Sequence, residues 1–432
     1  MKSKTYMPLL ALILQLLLFA TSCKQSTEPK LEAELKLELE DASCTEAWIK
    51  LTTTNLQLPT SVTLKQDGVV RKTINVQTQD TLLYIDSLLP NQTYKFQTFI
   101  QSYNHSSNEL TVTTMDTTSH EFTWQSWEFG TIGSSSLYDV AIIDENDIWA
   151  VGEINIADTS INGYTTYNAV HWDGTKWELK RILYKGGIWV IRTIFAFSPN
   201  DIWFSGYVRY LNGQFIELTI PDILIGWTIN KLWGSSSEDL YAVGNNGNIA
   251  HWDGMKWRKI ESGTNLDIYD IFGEYENDNS EFEVNLVAAQ HYVGPERKIL
   301  TIRNNTVKEL STTNISQGSI HGIWFKAGRK YFVVGNGIYF KSNIYYSNDW
   351  NSSLRSLTPY YTYAIRGSGL NNIFICGSYG ELLHFGGASW KSFKNTPGFY
   401  YAEFFNVDTK DRLVAVVGQR FSSGFITIGK LK

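Results

Sequence analysis

Asn146-Asp147-Ile148-Trp149-Ala150-Val151-Gly152 is the stretch that decides the fold, because the chain repeats it. Copies follow at Asp201-Ile202-Trp203-Phe204-Ser205-Gly206, Asp239-Leu240-Tyr241-Ala242-Val243-Gly244 and Tyr331-Phe332-Val333-Val334-Gly335. Two more stand at Asn372-Ile373-Phe374-Ile375-Cys376-Gly377 and Leu413-Val414-Ala415-Val416-Val417-Gly418. Each is an apolar strand that ends in glycine, and most open on an acidic or amide turn residue. The glycines are 54, 38, 91, 42 and 41 residues apart. The interval of 91 spans two periods, which places a further copy at Val284-Asn285-Leu286-Val287-Ala288-Ala289. Seven units with a period of roughly 40–50 residues predict a ring in which each repeat is one four-stranded blade.

A second motif follows within blades: His171-Trp172-Asp173-Gly174-Thr175-Lys176-Trp177, His251-Trp252-Asp253-Gly254-Met255-Lys256-Trp257 and the weaker His384-Phe385-Gly386-Gly387-Ala388-Ser389-Trp390. Asp-Gly between aromatic strands is a tight-hairpin signal, since the turn needs a residue at positive φ. It is expected to join third and fourth strands. The last unit stops at Phe425-Ile426-Thr427-Ile428-Gly429-Lys430-Leu431-Lys432, one strand short. Phe122-Thr123-Trp124-Gln125-Ser126-Trp127-Glu128 resembles the missing strand, so the ring is expected to close by pairing it with the C-terminal strand and to leave no open sheet edge. The expected fold class is all-β, with a seven-bladed β-propeller over residues 121–432.

Composition agrees. Of 432 residues, 43 % are hydrophobic and 19 % charged, enough to bury real cores. Aromatics reach 14 %, which suits many short strands. The net charge of −6 lacks the basic excess of a nucleic-acid binder, so that class is set aside. Three cysteines are too few for a disulfide framework, and Cys44 and Cys376 are expected as free thiols in cores.

Lys2 and Lys4 precede an apolar run from Met7 to Ala20, followed by small residues and Cys23. This pattern is a signal peptide, and the run is short for a membrane span. Phe19-Ala20-Thr21-Ser22-Cys23 resembles a bacterial lipobox. The resemblance implies cleavage after residue 22, lipid on Cys23, a polar tether to residue 30 and anchorage in the bacterial cell envelope, at the outer membrane or cell surface. Acyl chains on one residue hold a protein on a bilayer without a transmembrane helix.

Residues 31–117 alternate in short apolar and polar runs, as in Ala47-Trp48-Ile49-Lys50-Leu51 and Val62-Thr63-Leu64-Lys65. Leu88-Leu89-Pro90-Asn91-Gln92-Thr93-Tyr94-Lys95-Phe96 resembles the fibronectin type III signature. That resemblance implies a small sandwich with Trp48 in the core, Tyr94 as the corner tyrosine and Glu109–Thr114 as the last strand. The blade repeats resemble the WD, kelch and Asp-box propeller families without matching any one, which implies a fold and not an activity.

The sequence shows no catalytic constellation, cofactor motif or metal-ligand spacing. His171, His251 and His384 recur at one blade position and are expected to be structural. Asp147, Asp201, Asp239 and Asn372 recur at a turn, where they are expected to bond the local backbone. Glu274, Glu276, Asp278 and Glu281 read as a solvated insertion. Nine positions before the recurring Asp or Asn stand Tyr138, Arg192, Asn230 and Tyr363, and looser alignment adds Tyr269 and His321. Two positions further on, Val140, Ile194, Leu232, Ile271, Ile323 and Ile365 are all apolar. The first six are therefore expected at the channel mouth as a ligand-binding set, where rings stack on apolar faces and amide or guanidinium groups fix orientation. The leading expectation is a monomeric, membrane-anchored, noncatalytic module that binds a protein or carbohydrate. The alternative is a polysaccharide-acting glycosidase or lyase at the channel, in which Arg192 with Tyr138, Tyr269 or Tyr363 imitates part of a sialidase-like site.

Overall fold

The computed structural model describes residues 33–219, 225–276, 281–290, 295–315, 318–342 and 349–432. Residues 1–30, where a signal segment, the lipidated Cys23 and a tether are expected, lie outside these. The chain divides into two compact units.

The first unit comprises Ala47–Ile85, Thr93–Thr113 and the described residues up to Asp41. Strands Glu34–Ala42, Ala47–Thr54 and Asp80–Ile85 form one sheet. A second sheet orders Val69–Val76, Thr60–Gln66, Thr93–Ile100 and His105–Ser106, with Leu110–Thr113 also on Thr93–Ile100. Alternation puts Ile49, Leu51, Val62, Leu64, Phe96 and Val112 inside, all essentially inaccessible to solvent, while Trp48, of opposite parity on its strand, is buried with its ring 5.8 Å from that of Tyr84. Tyr94 is half-buried, its ring 6.4 Å from Phe96.

The second unit contains seven larger sheets among the described residues. They are designated I to VII by their first strands: Ser136–Asp144, Ile194–Ser198, Ile229–Ser236, Asp267–Glu276, Ile320–Lys326, Thr362–Gly369 and Ala402–Lys410. The repeated apolar stretches are the second strands, beginning with Asp147–Ala157 of sheet I, and the copy expected within the long interval is Glu281–Ala289 of sheet IV. First strands of successive sheets neighbour one another from I to VII, and VII neighbours I, so the sheets form a closed ring. Phe122–Phe129 completes sheet VII by pairing with Ser423–Leu431 from Phe129 opposite Gly424 to Phe122 opposite Leu431. Sheet V has three strands among the described residues.

Sheets pack face to face through the alternate side chains of their strands. Val140, Ile142, Ala150 and Val170 of sheet I are buried against Ala415, Val417 and Ile426 of sheet VII. Each fully buried aliphatic side chain contributes about 1.5–3 kcal/mol. The Asp-Gly hairpins join third to fourth strands as expected, with Gly174 at φ +89° and Gly254 at φ +85°. Asp173 and Asp253 close these turns by accepting backbone N–H bonds from residues two and three positions on.

Two readings of the sequence need correction. The recurring acids do not bond the local backbone. They cross to the third strand, where the carboxylates of Asp147 and Asp239 and the Asn372 amide oxygen meet the Nε2 of His171, His251 and His384 at 2.9, 2.6 and 3.0 Å. Each histidine also stacks on the aromatic two positions after the acid or amide: Trp149, Tyr241 and Phe374, with centroids 4.2, 4.4 and 4.5 Å apart. In sheet II Arg209 replaces the histidine, pairing with Asp201 at 2.7 Å over the Trp203 ring. The histidines are thus structural through a cross-strand pair and a stack. The acidic stretch after residue 273 is not simply a solvated insertion either, because Glu274 lies in the first strand of sheet IV and pairs with Lys326 of sheet V at 2.6 Å. Glu276 and Glu281 pair across that hairpin, while Asp278 lies outside the described residues.

Candidate functional site

The repeated glycine is where the site begins. A Cβ at Gly152 would stand 1.9 Å from the Ser136 carbonyl oxygen, and one at Gly418 would stand 1.8 Å from that of Glu403. The absent side chain lets the first strand bulge toward its neighbour, and the same contact recurs at Gly244, Gly335 and Gly377. Sheet IV has Ala288 at this position. Opposite, the first strand breaks register and skips one residue: Tyr138 in sheet I, Asn230 in III, Tyr269 in IV, His321 in V, Tyr363 in VI and Phe405 in VII. A bulge leaves its extra residue unpaired and re-aims its side chain. In sheet II, Arg192 stands just ahead of the first strand. Of the six expected residues, all but Arg192 therefore lie within first strands.

All six expected residues, together with Phe405, line one cavity of about 820 Å³, its open mouth included. They form an almost continuous belt. The Arg192 guanidinium lies 4.9 Å from the Tyr138 ring centroid. Tyr138 stacks with Phe405 at 6.0 Å, and Phe405 meets Tyr363 edge to face at 5.8 Å. Tyr363 meets His321 at 5.4 Å, and His321 stacks on Tyr269 at 4.5 Å. The Asn230 amide donates to the Ile268 carbonyl oxygen at 2.9 Å, tying sheet III to IV. His321 Nδ1 lies 2.7 Å from the Tyr363 carbonyl oxygen, which can only accept, so Nδ1 carries a proton and donates it there. The apolar residues two positions beyond the expected six are all buried, as their pattern predicts.

Phe405 escaped the sequence count because its hairpin is short. A two-residue turn joins Lys410 to Leu413, with no second register break like that between Ile142 and Asp144 in sheet I. Nine residues back from the turn therefore falls on Phe404, a core residue. The chain also conceals the cavity floor. Lys231 and Asp270 follow two bulge residues and point into the channel. Lys231 of sheet III bonds Asp139 of sheet I at 2.7 Å, and both are buried. Asp139 further accepts from the Thr193 hydroxyl and the Ile194 N–H. Asp270 of sheet IV takes both Arg366 Nη atoms of sheet VI, at 2.6 and 2.8 Å, and the Ile323 N–H at 3.0 Å. Burial alone would pull the Arg366 pKa down, but the Asp270 carboxylate holds it up. Burial also raises the Asp408 pKa, against the N–H bonds it accepts from Ile142 and Thr409.

Chemically, the site offers ring faces, an amide, an imidazole and one guanidinium. Asp270 is the one carboxylate in the cavity lining, and it is committed to Arg366. No group of three or more His, Cys, Asp or Glu side chains positioned to hold a metal is found among the described residues.

The ring is a β-propeller. Solved structures that match it include YCF48 bound to D1 peptide, with a TM-score of 0.53 and 15 % identity over 73 % of this chain and 100 % of that one. YCF48 from Cyanidioschyzon merolae matches at TM-score 0.50 and 14 % identity over 70 % and 98 %. A catalytically inactive virginiamycin B lyase from Staphylococcus aureus with quinupristin matches at 0.52 and 14 % over 72 % and 100 %. Identities this low carry the propeller fold and not an activity. No protein-family model and no curated protein matches the sequence.

Proposed function

We propose that the chain is a lipid-anchored, noncatalytic binding protein of the bacterial cell envelope. In this reading residues 1–22 direct export, Cys23 carries lipid, residues 24–30 form a tether, and a fibronectin type III-like module over residues 31–117 precedes a seven-bladed propeller over residues 121–432. The protein acts as a monomer and presents the channel mouth to a protein or carbohydrate.

One observation supports the binding reading above all: side chains from six sheets, most of them freed by bulges, and Arg192 just ahead of the first strand of sheet II converge on one cavity whose rings are already locked against one another. Rigid aromatic surface binds with little loss of conformational freedom. The peptide seen on YCF48 favours a protein among the two ligand classes. A polysaccharide-cleaving reading needs an acid able to move a proton, and Asp270 would have to give up Arg366 to serve.

The test is a peptide and glycan array probed with residues 26–432 and with the same protein carrying Arg192→Ala and Tyr363→Ala. Binding that the double variant loses supports the site. Binding that the double variant keeps unchanged places the ligand elsewhere and overturns it.

A further inference from the structure

Resting on that binding reading, we propose that the occupant is a protein segment that places a carboxylate on Arg192 and apolar side chains on an aromatic crest on the same edge of the ring. Three observations carry this. The charges of the cavity lining are unequal in their commitments: Lys231 is held by Asp139 and Asp270 by Arg366, whereas Arg192 is exposed and has only the Tyr138 ring against its guanidinium, with no carboxylate partner among the described residues. The lining therefore presents one uncompensated positive charge on an aromatic support. A carboxylate satisfies a guanidinium through two parallel N–H bonds, and the stacked ring presets the plane.

The second observation is the surface around the mouth. Antiparallel pairing sets Arg420, the last residue of the second strand of sheet VII, opposite Ala402, the first of its first strand, so the loop leaving that second strand shares the edge that carries the cavity. On that edge Tyr379, Tyr400, Tyr401 and Phe421 of sheets VI and VII are 57, 65, 53 and 65 % exposed. Tyr400 and Tyr401 lie 3.9 Å apart and Tyr401 is 5.7 Å from Phe421, a contiguous apolar crest. Exposed aromatic patches of this kind mark protein contacts.

The third observation is strain. Tyr379, Tyr401 and Phe421 all hold positive φ, at +59°, +63° and +54°, where bulky residues are rarely found. Strained residues of this kind cluster at ligand clamps and binding loops. A single cation and an exposed aromatic crest on one edge match a peptide that carries a carboxylate and large apolar side chains, which bury the exposed rings.

The experiment titrates residues 26–432 with an array of aromatic and aliphatic peptides bearing Asp, Glu or a free C-terminus, each beside its Asn, Gln or amidated counterpart. Uronate-containing and neutral oligosaccharides are included on the same array. Acidic peptides are expected to bind about tenfold or more tighter than their amides. Arg192→Gln should erase that difference and Arg192→Lys should keep part of it, while Tyr401→Ser should weaken acid and amide alike. Equal binding of acid and amide overturns the inference but leaves the binding site standing. Capture of uronates without peptides overturns the choice of a protein partner. Binding of nothing on the array that depends on Arg192 or Tyr363 overturns the site itself.

Discussion

His321 donates from Nδ1 to the Tyr363 carbonyl oxygen at 2.7 Å and meets the Tyr363 ring edge to face with centroids 5.4 Å apart. The two residues belong to neighbouring sheets, and each is the extra residue of its own bulge. One sheet thus fixes the side chain that the next presents at the mouth, and the belt is rigid before any ligand arrives.

The belt therefore has a structural side and an exposed side. Tyr363→Ala, which removes ring contacts to His321, Tyr361 and Phe405, should cost about 1–2 kcal/mol. Arg192→Ala, at an exposed side chain, should cost about 0.5 kcal/mol or less. Urea unfolding of the two variants measures both, and equal costs would contradict this division.

Ring closure rests on the pairing of Phe122–Phe129 with Ser423–Leu431. Deleting residues 121–130 should lower the melting temperature by on the order of 10 °C and promote aggregation through the bared edge. Removing residues 31–117 should do far less to the propeller. A scan by calorimetry in which both truncations melt alike would rule out this closure.

His384 supplies a pH dependence. Burial, then the charge of nearby His120, pull its pKa down to about 3. In the unfolded chain a histidine titrates near 6.5, so the fold binds fewer protons between these values. Its contribution is complete above about pH 6.5 and is lost as pH falls toward about 3. Between pH 7 and 5 the loss should be about 1–2 kcal/mol, and His384→Gln should flatten that slope in paired urea titrations.

Cys44 and Cys376 are both free and fully buried, and burial raises their thiols to about 11 and about 12. Neither should react with a disulfide reagent at pH 8 until the protein unfolds. Rapid labelling of native residues 26–432 would show that one of these cores opens.

Anchorage is tested apart from the fold. Cys23→Ser should abolish lipid labelling and release the protein from membranes or leave it unprocessed. Unchanged labelling of that variant would reject the lipobox assignment.

The sequence by itself determined what depends on short-range periodicity. The glycine period marks the blades because in sheets I, III, V, VI and VII the small residue makes room for a bulge, and the acid-to-mouth spacing of nine residues reaches Tyr138, Arg192, Asn230 and Tyr363 because those hairpins have one common length. Phe405 was lost where that length changes by one. Only the tertiary structure decided the partners. Asp147 could bond its own turn or a strand 24 residues on, and His171 wins because the pleat brings it alongside. The ion pairs of Asp139 with Lys231 and Asp270 with Arg366 join residues 92 and 96 apart across the channel. No repeat pattern encodes them, since each arises where the closed ring brings non-adjacent sheets face to face and a buried charge must find its opposite.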